Sequence, residues 1–370
     1  MNPIIQIITS FLIGLALVYY IIPIVVRLSI LKNLYDVPNE RKLNKTVIPN
    51  LGGVALFIGI TLATLLSIYK YSFPELRYIL AGMIIMFFIG IKDDILIISS
   101  RKKLMAQMLC AFIIIVPDNI RFTDLHGIIG INEINYSYSL ILSFIFIVAI
   151  INAFNLIDGI DGLASAIGIL ASLILGSIFY QAKDYQFAIL SFAATGSLIS
   201  FFFYNVFGRK NKIFMGDTGS LILGLLFSVL IIRYNETSLT MDLNAKNLSP
   251  VLSFAIVIIP VYDMMRLTIT RIFQQKSPFS ADINHIHHKI LKLGFTHLKT
   301  TVLLLTVNVF FIVIVYAFSF VNNNLLLLGL IVLASVFSLI PRMVYAIKKS
   351  KNSKAKKNQF RKLLWPFKIL

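Results

Sequence analysis

Residues 139–162 read SLILSFIFIVAIINAFNLIDGIDG. The first two thirds of this stretch carry no charge, and 139–156 is long enough to cross the roughly 30 Å hydrocarbon layer as a helix. Such a helix satisfies its own backbone hydrogen bonds, which lipid demands. The last third changes character. Asn152, Asn155, Asp158 and Asp161 recur every third residue, a spacing that puts neighbours on one side of a helix. Gly159 and Gly162 let the chain turn between them. Four oxygen-bearing side chains at the end of an apolar span suit a hard cation or a polar nucleotide. The alternative is a polar helix end, with Asp capping the helix that follows.

Working outward, similar apolar runs fill the chain. They lie near 3–28, 47–68, 76–92, 104–117, 162–181, 186–206, 218–234, 250–271, 300–320 and 324–346. With 139–156 they make about eleven spans. Of the 370 residues, 58% are hydrophobic and 14% charged, with a mean hydropathy of +0.86. A soluble domain carries about a quarter charged residues. The expected fold is therefore an all-α polytopic membrane protein, with one transmembrane domain over 1–346 and a basic tail over 347–370. The loop at 118–138 has short alternating segments that predict a small hairpin. Cys110 is the sole cysteine and falls inside a span, so no intrachain disulfide is possible. The first apolar run lacks a small-residue cleavage site and reads as a retained helix.

Charge gives the orientation. Odd-numbered loops and the tail hold 27 of the 34 Lys and Arg residues, and Arg27 ends the first span on the same side. The other six are Lys70, Arg77, Arg121, Lys183, Arg233 and Lys246. The positive-inside rule then places odd loops and the C-terminus in the cytoplasm and the N-terminus outside. The tail KKSKNSKAKKNQFRK reads as an anchor on anionic headgroups, and nothing in the chain resembles a nucleic-acid reading module.

Nine of the 16 acidic residues gather on that basic side: Asp36, Glu40, Asp93, Asp94, Asp158, Asp161, Asp217, Asp263 and Asp282. Asp93 and Asp94 are adjacent in GIKDDI. Neighbouring carboxylates repel unless they are solvated, metal-bound or paired, and Lys92, Arg101, Lys102 and Lys103 are close in sequence. In FMGDTGS, Asp217 opens a long apolar helix, whose free N–H groups make an anion site. SPFSADINHIHHKI holds His285, His287 and His288. It lacks the companion ligands of a zinc site and suits a hydrogen-bonding clamp on phosphate. His126 and His297 read as ordinary polar residues. Asp263 reads as the partner of Arg266 one turn on.

From DVPNERKLNKTVIPNLGGVA at Asp36 to HIHHKILKLG at Gly294, these motifs in this order resemble the polyprenyl-phosphate N-acetylhexosamine-1-phosphate transferases. The histidine loop is similar to that of the WecA/TagO-type branch rather than the peptidoglycan branch that uses UDP-MurNAc-pentapeptide. The resemblance implies transfer of an N-acetylhexosamine-1-phosphate, by default GlcNAc-1-phosphate, from a UDP-sugar to undecaprenyl phosphate, with UMP released. It implies a multi-pass enzyme of the bacterial inner membrane that starts a lipid-linked surface glycan, and a homodimer is compatible with it. It also implies Mg²⁺, with Mn²⁺ as a substitute, on Asp217 and Asn155. Asp93 and Asp94 match the family's catalytic acidic pair, and His287 and His288 match residues on the diphosphate or sugar. Asp158, Asp161 and Asn205 match the nucleotide-sugar site, and Lys42 matches a phosphate contact. Asn152 and His285 join the substrate-binding group from their motifs. The chain departs from the pattern at Asn44, where many members carry His. A MurNAc-pentapeptide transferase of the same fold and a lipid or ion transporter are the competing readings; a transporter would place its charged groups nearer the bilayer midplane.

Overall fold

A computed structural model describes residues 2–34, 48–68, 72–96, 98–240, 243–275 and 285–364. Lys42, Asn44, Asp36, Glu40 and Asp282 lie outside the described residues. The architecture is helical: α1 (Pro3–Leu31), α2 (Gly52–Ser67), α3 (Leu76–Leu96), α4 (Ser100–Asp118), α5 (Tyr136–Ile157), α6 (Leu163–Gln181), α7 (Tyr185–Phe202), α8 (Gly216–Ser238), α9 (Leu243–Ile256), α10 (Ile258–Phe273), α11 (Ile286–Lys292), α12 (His297–Ala317) and α13 (Asn323–Leu364). Every expected apolar run overlaps a helix. Seven described helices are long and apolar enough to cross a membrane, or eight if α9 and α10 form one bent span. The α2 helix has 16 residues, about 24 Å at 1.5 Å per residue. The ends of α3 and α4 carry charges that shorten their apolar windows.

The bundle is built around α8, which is buried along nearly its whole length and packs against α2, α3, α5, α6 and α9. Glycine permits the tightest of these approaches. A Cβ on Gly53 of α2 would lie 2.1 Å from the Gly219 nitrogen, and one on Gly90 of α3 would lie 2.3 Å from Thr218 Cα. Both helices therefore touch the first turn of α8 backbone to backbone. Between α6 and α7, the Thr195 hydroxyl donates to Ser172 Oγ at 2.8 Å, a polar tie inside an apolar layer.

The expected hairpin is present as β1 (Asp124–Ile128) paired antiparallel with β2 (Ile131–Glu133). Glu236, at the C-terminal end of α8, accepts from the Thr123 N–H and hydroxyl at 2.7 and 2.6 Å. Asn324, at the start of α13, accepts from Ile129 N–H at 2.7 Å and donates to the Gly127 carbonyl at 3.1 Å. The hairpin thus covers the end of α8 opposite Asp217.

The run at 250–271, read as a single helix, is broken. Its two halves meet at Val257 with a bend of 84°. Pro260 supplies the cause: it has no N–H for the Ile256 carbonyl and its ring clashes there. The stranded carbonyls find a donor on another helix. Asn308 Nδ2 of α12 donates to Ala255 O at 3.3 Å and Ile256 O at 3.0 Å. Broken backbone at membrane depth persists where neighbouring helices re-satisfy it.

This assignment is testable. Asn308→Leu keeps the number and branching of the heavy atoms but leaves both carbonyls without their buried donor, a loss of about 1–3 kcal/mol. The thermal midpoint of the purified protein in detergent should fall by several degrees. An unchanged midpoint would mean that the bend does not depend on Asn308.

Candidate functional site

One end of the bundle collects the polar motifs: the C-terminal ends of α3 and α5, the N-terminal ends of α4 and α8, α11, and the start of α12. Asp94 sits at its base. Its carboxylate accepts from the backbone N–H groups of Asp217 (2.7 Å) and Thr218 (3.0 Å) and from the Thr218 hydroxyl (2.5 Å). A side chain of α3 therefore caps α8, satisfying amides that have no partner within their own helix. Gly216 has φ +72°, and a Cβ there would lie 2.7 Å from the Asp94 carboxylate, so the cap requires glycine at this position.

The cap aims Asp217. Asn155 Nδ2, on the last turns of α5, donates to Asp217 Oδ1 at 2.5 Å and to Ser220 Oγ at 2.9 Å. Lys103, in the first turn of α4, reaches the same Oδ1 at 3.0 Å and also pairs with Asp93. Asp93 is buried and accepts the Ile98 N–H at 2.6 Å. A cation thus stands between two acids that would otherwise repel. Lys103 was one of four nearby candidates for this pairing, and the structure selects it.

Asp158 and Asp161 lie on the loop between α5 and α6. Asp161 takes Lys212 Nζ at 2.7 Å and lies 3.4 Å from His297 Nδ1. Burial alone would raise the Asp161 carboxyl, but His297 and Lys212 hold it below the usual range. Asp158 has the opposite environment. Burial, then the charges of Asp217, Asp94 and Asp161, push its carboxyl well above the ordinary carboxylate range. This corner of the site carries more negative charge than its side chains offset, the condition that favours an added cation.

Asn205 holds this loop to the next one. It sits on a π-helical turn at Phe203–Phe207, accepts the Gly162 N–H at 2.6 Å and donates to the Ile213 carbonyl at 2.8 Å. Asn152 faces away from the acids: its Nδ2 donates to Gln107 Oε1 of α4 at 2.8 Å.

The histidines are placed by Asp263. Its carboxylate pairs with Arg266 at 2.6 Å, as expected, but also with His285 Nδ1 at 3.0 Å, and it accepts the Ile286 N–H that starts α11. His287 is 1% exposed, and neither ring nitrogen has a hydrogen-bond partner among the described residues. It packs against Gly159, where a Cβ would lie 2.6 Å from Nε2. Burial, then His288 and His285, push His287 down to about 3, so its ring is neutral at physiological pH. Burial, then His285 and Lys292, also lower His288.

These residues enclose a cavity of about 440 Å³ lined by Asn155, Asp158, Asp161, Asn205, Asp217 and the histidines. A groove of about 740 Å³ runs beside it between α4, α5 and α10, with Met108, Phe144, Val148 and Met264 on its walls and Lys103, Gln107 and Asn152 at its polar end. Cavity and groove share Asn155, Leu156 and His285. Among the described residues, no cluster of three or more His, Cys, Asp or Glu has metal-binding geometry. Asp217 offers a carboxylate oxygen, and Asn155, which meets it through Nδ2, would offer its amide oxygen to a Mg²⁺ ion once the amide turns over; substrate phosphates and water would complete such a site. Sequence reasoning left out Lys212, His297 and the wider role of Asp263, because their partners are 20 or more residues away.

Residues 76–235 match the family model described as glycosyl transferase family 4. Over 281 residues the chain is 30% identical to a Yersinia pestis protein named undecaprenyl-phosphate alpha-N-acetylglucosaminyl 1-phosphate transferase, covering 75% of each chain. An Escherichia coli K12 protein of the same name is 32% identical over 73% of this chain and 72% of its own length. A Bacillus subtilis protein named probable undecaprenyl-phosphate N-acetylglucosaminyl 1-phosphate transferase is 33% identical over 79% of each.

The depressed His287 ring makes a prediction about acid. Between about 3 and its ordinary value of 6.5, an unfolded His287 binds a proton that the folded one refuses. The unfolded state then holds more protons, so stability rises with pH across that window and is lost as pH falls. The drop in thermal midpoint from pH 7 to pH 4.5 should be smaller in His287→Gln than in the wild type. Equal drops would show that His287 is not held neutral.

Proposed function

The chain belongs to glycosyl transferase family 4, as a polyprenyl-phosphate sugar-phosphate transferase, and from that premise we propose that it moves GlcNAc-1-phosphate from UDP-GlcNAc onto undecaprenyl phosphate and releases UMP. The observation that carries this reading is the junction at Asn155, Leu156 and His285. A polar cavity large enough for a sugar nucleotide meets there an apolar-walled groove suited to a lipid. Relatives named for N-acetylglucosaminyl transfer support GlcNAc as the sugar.

In this mechanism an oxygen of the lipid phosphate attacks the β-phosphorus of the UDP-sugar. The bond from that phosphorus to the bridging oxygen breaks, and UMP leaves with the oxygen. The attacking phosphate monoester is largely dianionic at pH 7, its second pKa being about 6, so no strong base is needed. Lys103, at the mouth of the groove, draws the lipid phosphate toward Asp217 and offsets charge during transfer. Asp93 orients Lys103, and Asp94 orients Asp217 through the cap on α8. Mg²⁺ held by Asp217 and Asn155, with Mn²⁺ as a substitute, would offset negative charge on the diphosphate. The buried neutral ring of His287 and the half-buried ring of the neighbouring His288 supply N–H donors to the diphosphate or sugar. Asp158, Asp161 and Asn205 form the nucleotide-sugar end of the cavity, and Asn152 and His285 border the groove.

The N-terminus lies outside and the site faces the cytoplasm of a bacterial inner membrane in this reading. Two features support that placement. The site is at the end of the bundle reached by the odd, basic loops. The middle of α13, at Pro341, Arg342 and Tyr345 just before the basic tail, packs beside α11 at the same end.

The test is an assay of purified protein in detergent with undecaprenyl phosphate, Mg²⁺ and a panel of UDP-sugars, following UMP and lipid-linked product together. UDP-GlcNAc should give both in equal amounts, and a chelator should abolish both until Mg²⁺ is restored. Absence of UMP with every sugar would overturn the donor; undiminished turnover in chelator would overturn the metal.

A further inference from the structure

The β1–β2 hairpin lies at the end of the bundle away from the site and takes no part in the transfer proposed above. Its tip, from Gly127 to Asn132, reads GIIGIN and carries no charge. The Gly130 N–H donates to the Gly127 carbonyl at 3.0 Å, which closes a tight turn. Ile129 stands at the third position of that turn with φ +56°. Glycine or asparagine adopts this left-handed conformation readily, and a β-branched residue rarely does. The Ile129 side chain is 82% exposed, and Ile131 is exposed beside it.

Backbone strain persists where the surrounding structure over-determines it, and α13 does so here. Asn324 accepts from the Ile129 N–H at 2.7 Å and donates to the Gly127 carbonyl at 3.1 Å, while Asn323 Nδ2 donates to the His126 carbonyl at 3.4 Å. A turn that faced water would gain from glycine at position 129. The chain instead fixes a bare apolar side chain there.

The spanning helices set the level of the tip. The α5 helix begins three residues after β2 ends and has 22 residues, about 33 Å at 1.5 Å per residue, which matches the hydrocarbon layer. Its first turn carries exposed Tyr136 and Tyr138, a residue type that gathers at membrane–water boundaries. The bonds to Asn324 hold Ile129 against the first turn of α13, a helix apolar enough to cross the membrane over Asn323–Tyr345. Leu325 and Leu328 are exposed on that turn and the next. The uncharged tip therefore continues the apolar surface of a spanning helix at the level where the helix leaves the lipid. That continuity fits the boundary between headgroups and acyl chains.

We infer that the hairpin tip is seated in the leaflet away from the site, with Ile129 and Ile131 among the upper acyl chains, and so anchors this end of the bundle to the lipid surface. The inference needs only that the chain spans a membrane and is independent of the transferase reading.

The test uses tryptophan as a reporter. Trp365 is the sole tryptophan, so Trp365→Phe gives a silent background for Ile129→Trp, Ile131→Trp and, on the other face of β2, Asn132→Trp. Each full-length variant is placed one chain per nanodisc, in phosphatidylcholine brominated near the top of the acyl chain or in the same lipid without bromine, and iodide is added from the water. Ile129→Trp and Ile131→Trp should lose most of their emission to bromine and little to iodide, and Asn132→Trp should show the reverse. Ile131→Trp keeps the experiment decisive should the strained turn reject a larger ring at position 129. Three results would overturn the inference. Iodide quenching without bromine quenching at both isoleucine positions would put the tip in water. Protection from both quenchers would put it against protein. Equal bromine quenching at all three positions would assign the insertion to tryptophan rather than to the hairpin.

Discussion

The N-terminus of α8 ends inside the protein, and its first amides find their acceptor on α3. That constraint organises the site. Helix ends expose N–H groups that cost free energy when buried without partners. Asp94 supplies the partner through three hydrogen bonds. Gly53 and Gly90 allow α2 and α3 to come close enough for it to do so. The same cap fixes Asp217 one residue into the helix, where Asn155 and Lys103 converge on one oxygen. Removing Asp94 would release the turn that presents Asp217, so positioning and stability are coupled there.

The second theme is the meeting of two solvents. The polar cavity is built from loops and helix ends, and the groove from the sides of α4, α5 and α10. Asn155 belongs to both because it lies near the end of α5, where a spanning helix gives way to a polar loop. The bend at Val257 contributes to this geometry. It gives α10 its own direction, and α10 then carries Met264 and Arg271 to the groove and Asp263 to the seat of the histidine helix.

Much of the helical layout was legible because apolar runs must be helices in lipid; the run at 139–156 became Tyr136–Ile157. The bend at 84° was not legible. Pro260 is tolerated in many membrane helices, and the sequence stays apolar across the break. What permits the break is Asn308, some 50 residues away. The candidate site was legible as residue types, since acids and amides at the ends of apolar spans are costly to keep. Their pairings were not, because they are long-range. Asp94 caps a helix that begins more than 120 residues later, and Asp161 meets Lys212 and His297. Asp263 shows the limit of local reading: spacing correctly paired it with Arg266 and gave no sign of His285. Asn152 stood out as a polar residue in an apolar run, and Asn205 came from the resemblance alone. The hydrogen bonds of Asn205 join loop to loop, and that of Asn152 joins α5 to α4.

The central claim is that transfer is centred on Asp217, and its most direct test is single-turnover product formation by Asp217→Asn at saturating UDP-GlcNAc and undecaprenyl phosphate with Mg²⁺. The substitution keeps the shape of the side chain and leaves the Asp94 cap intact, so the thermal midpoint should change little. The account predicts a rate reduced by about a hundredfold or more, the scale of losing one preorganised electrostatic contact to a transition state. A folded variant that turns over at the wild-type rate would contradict it.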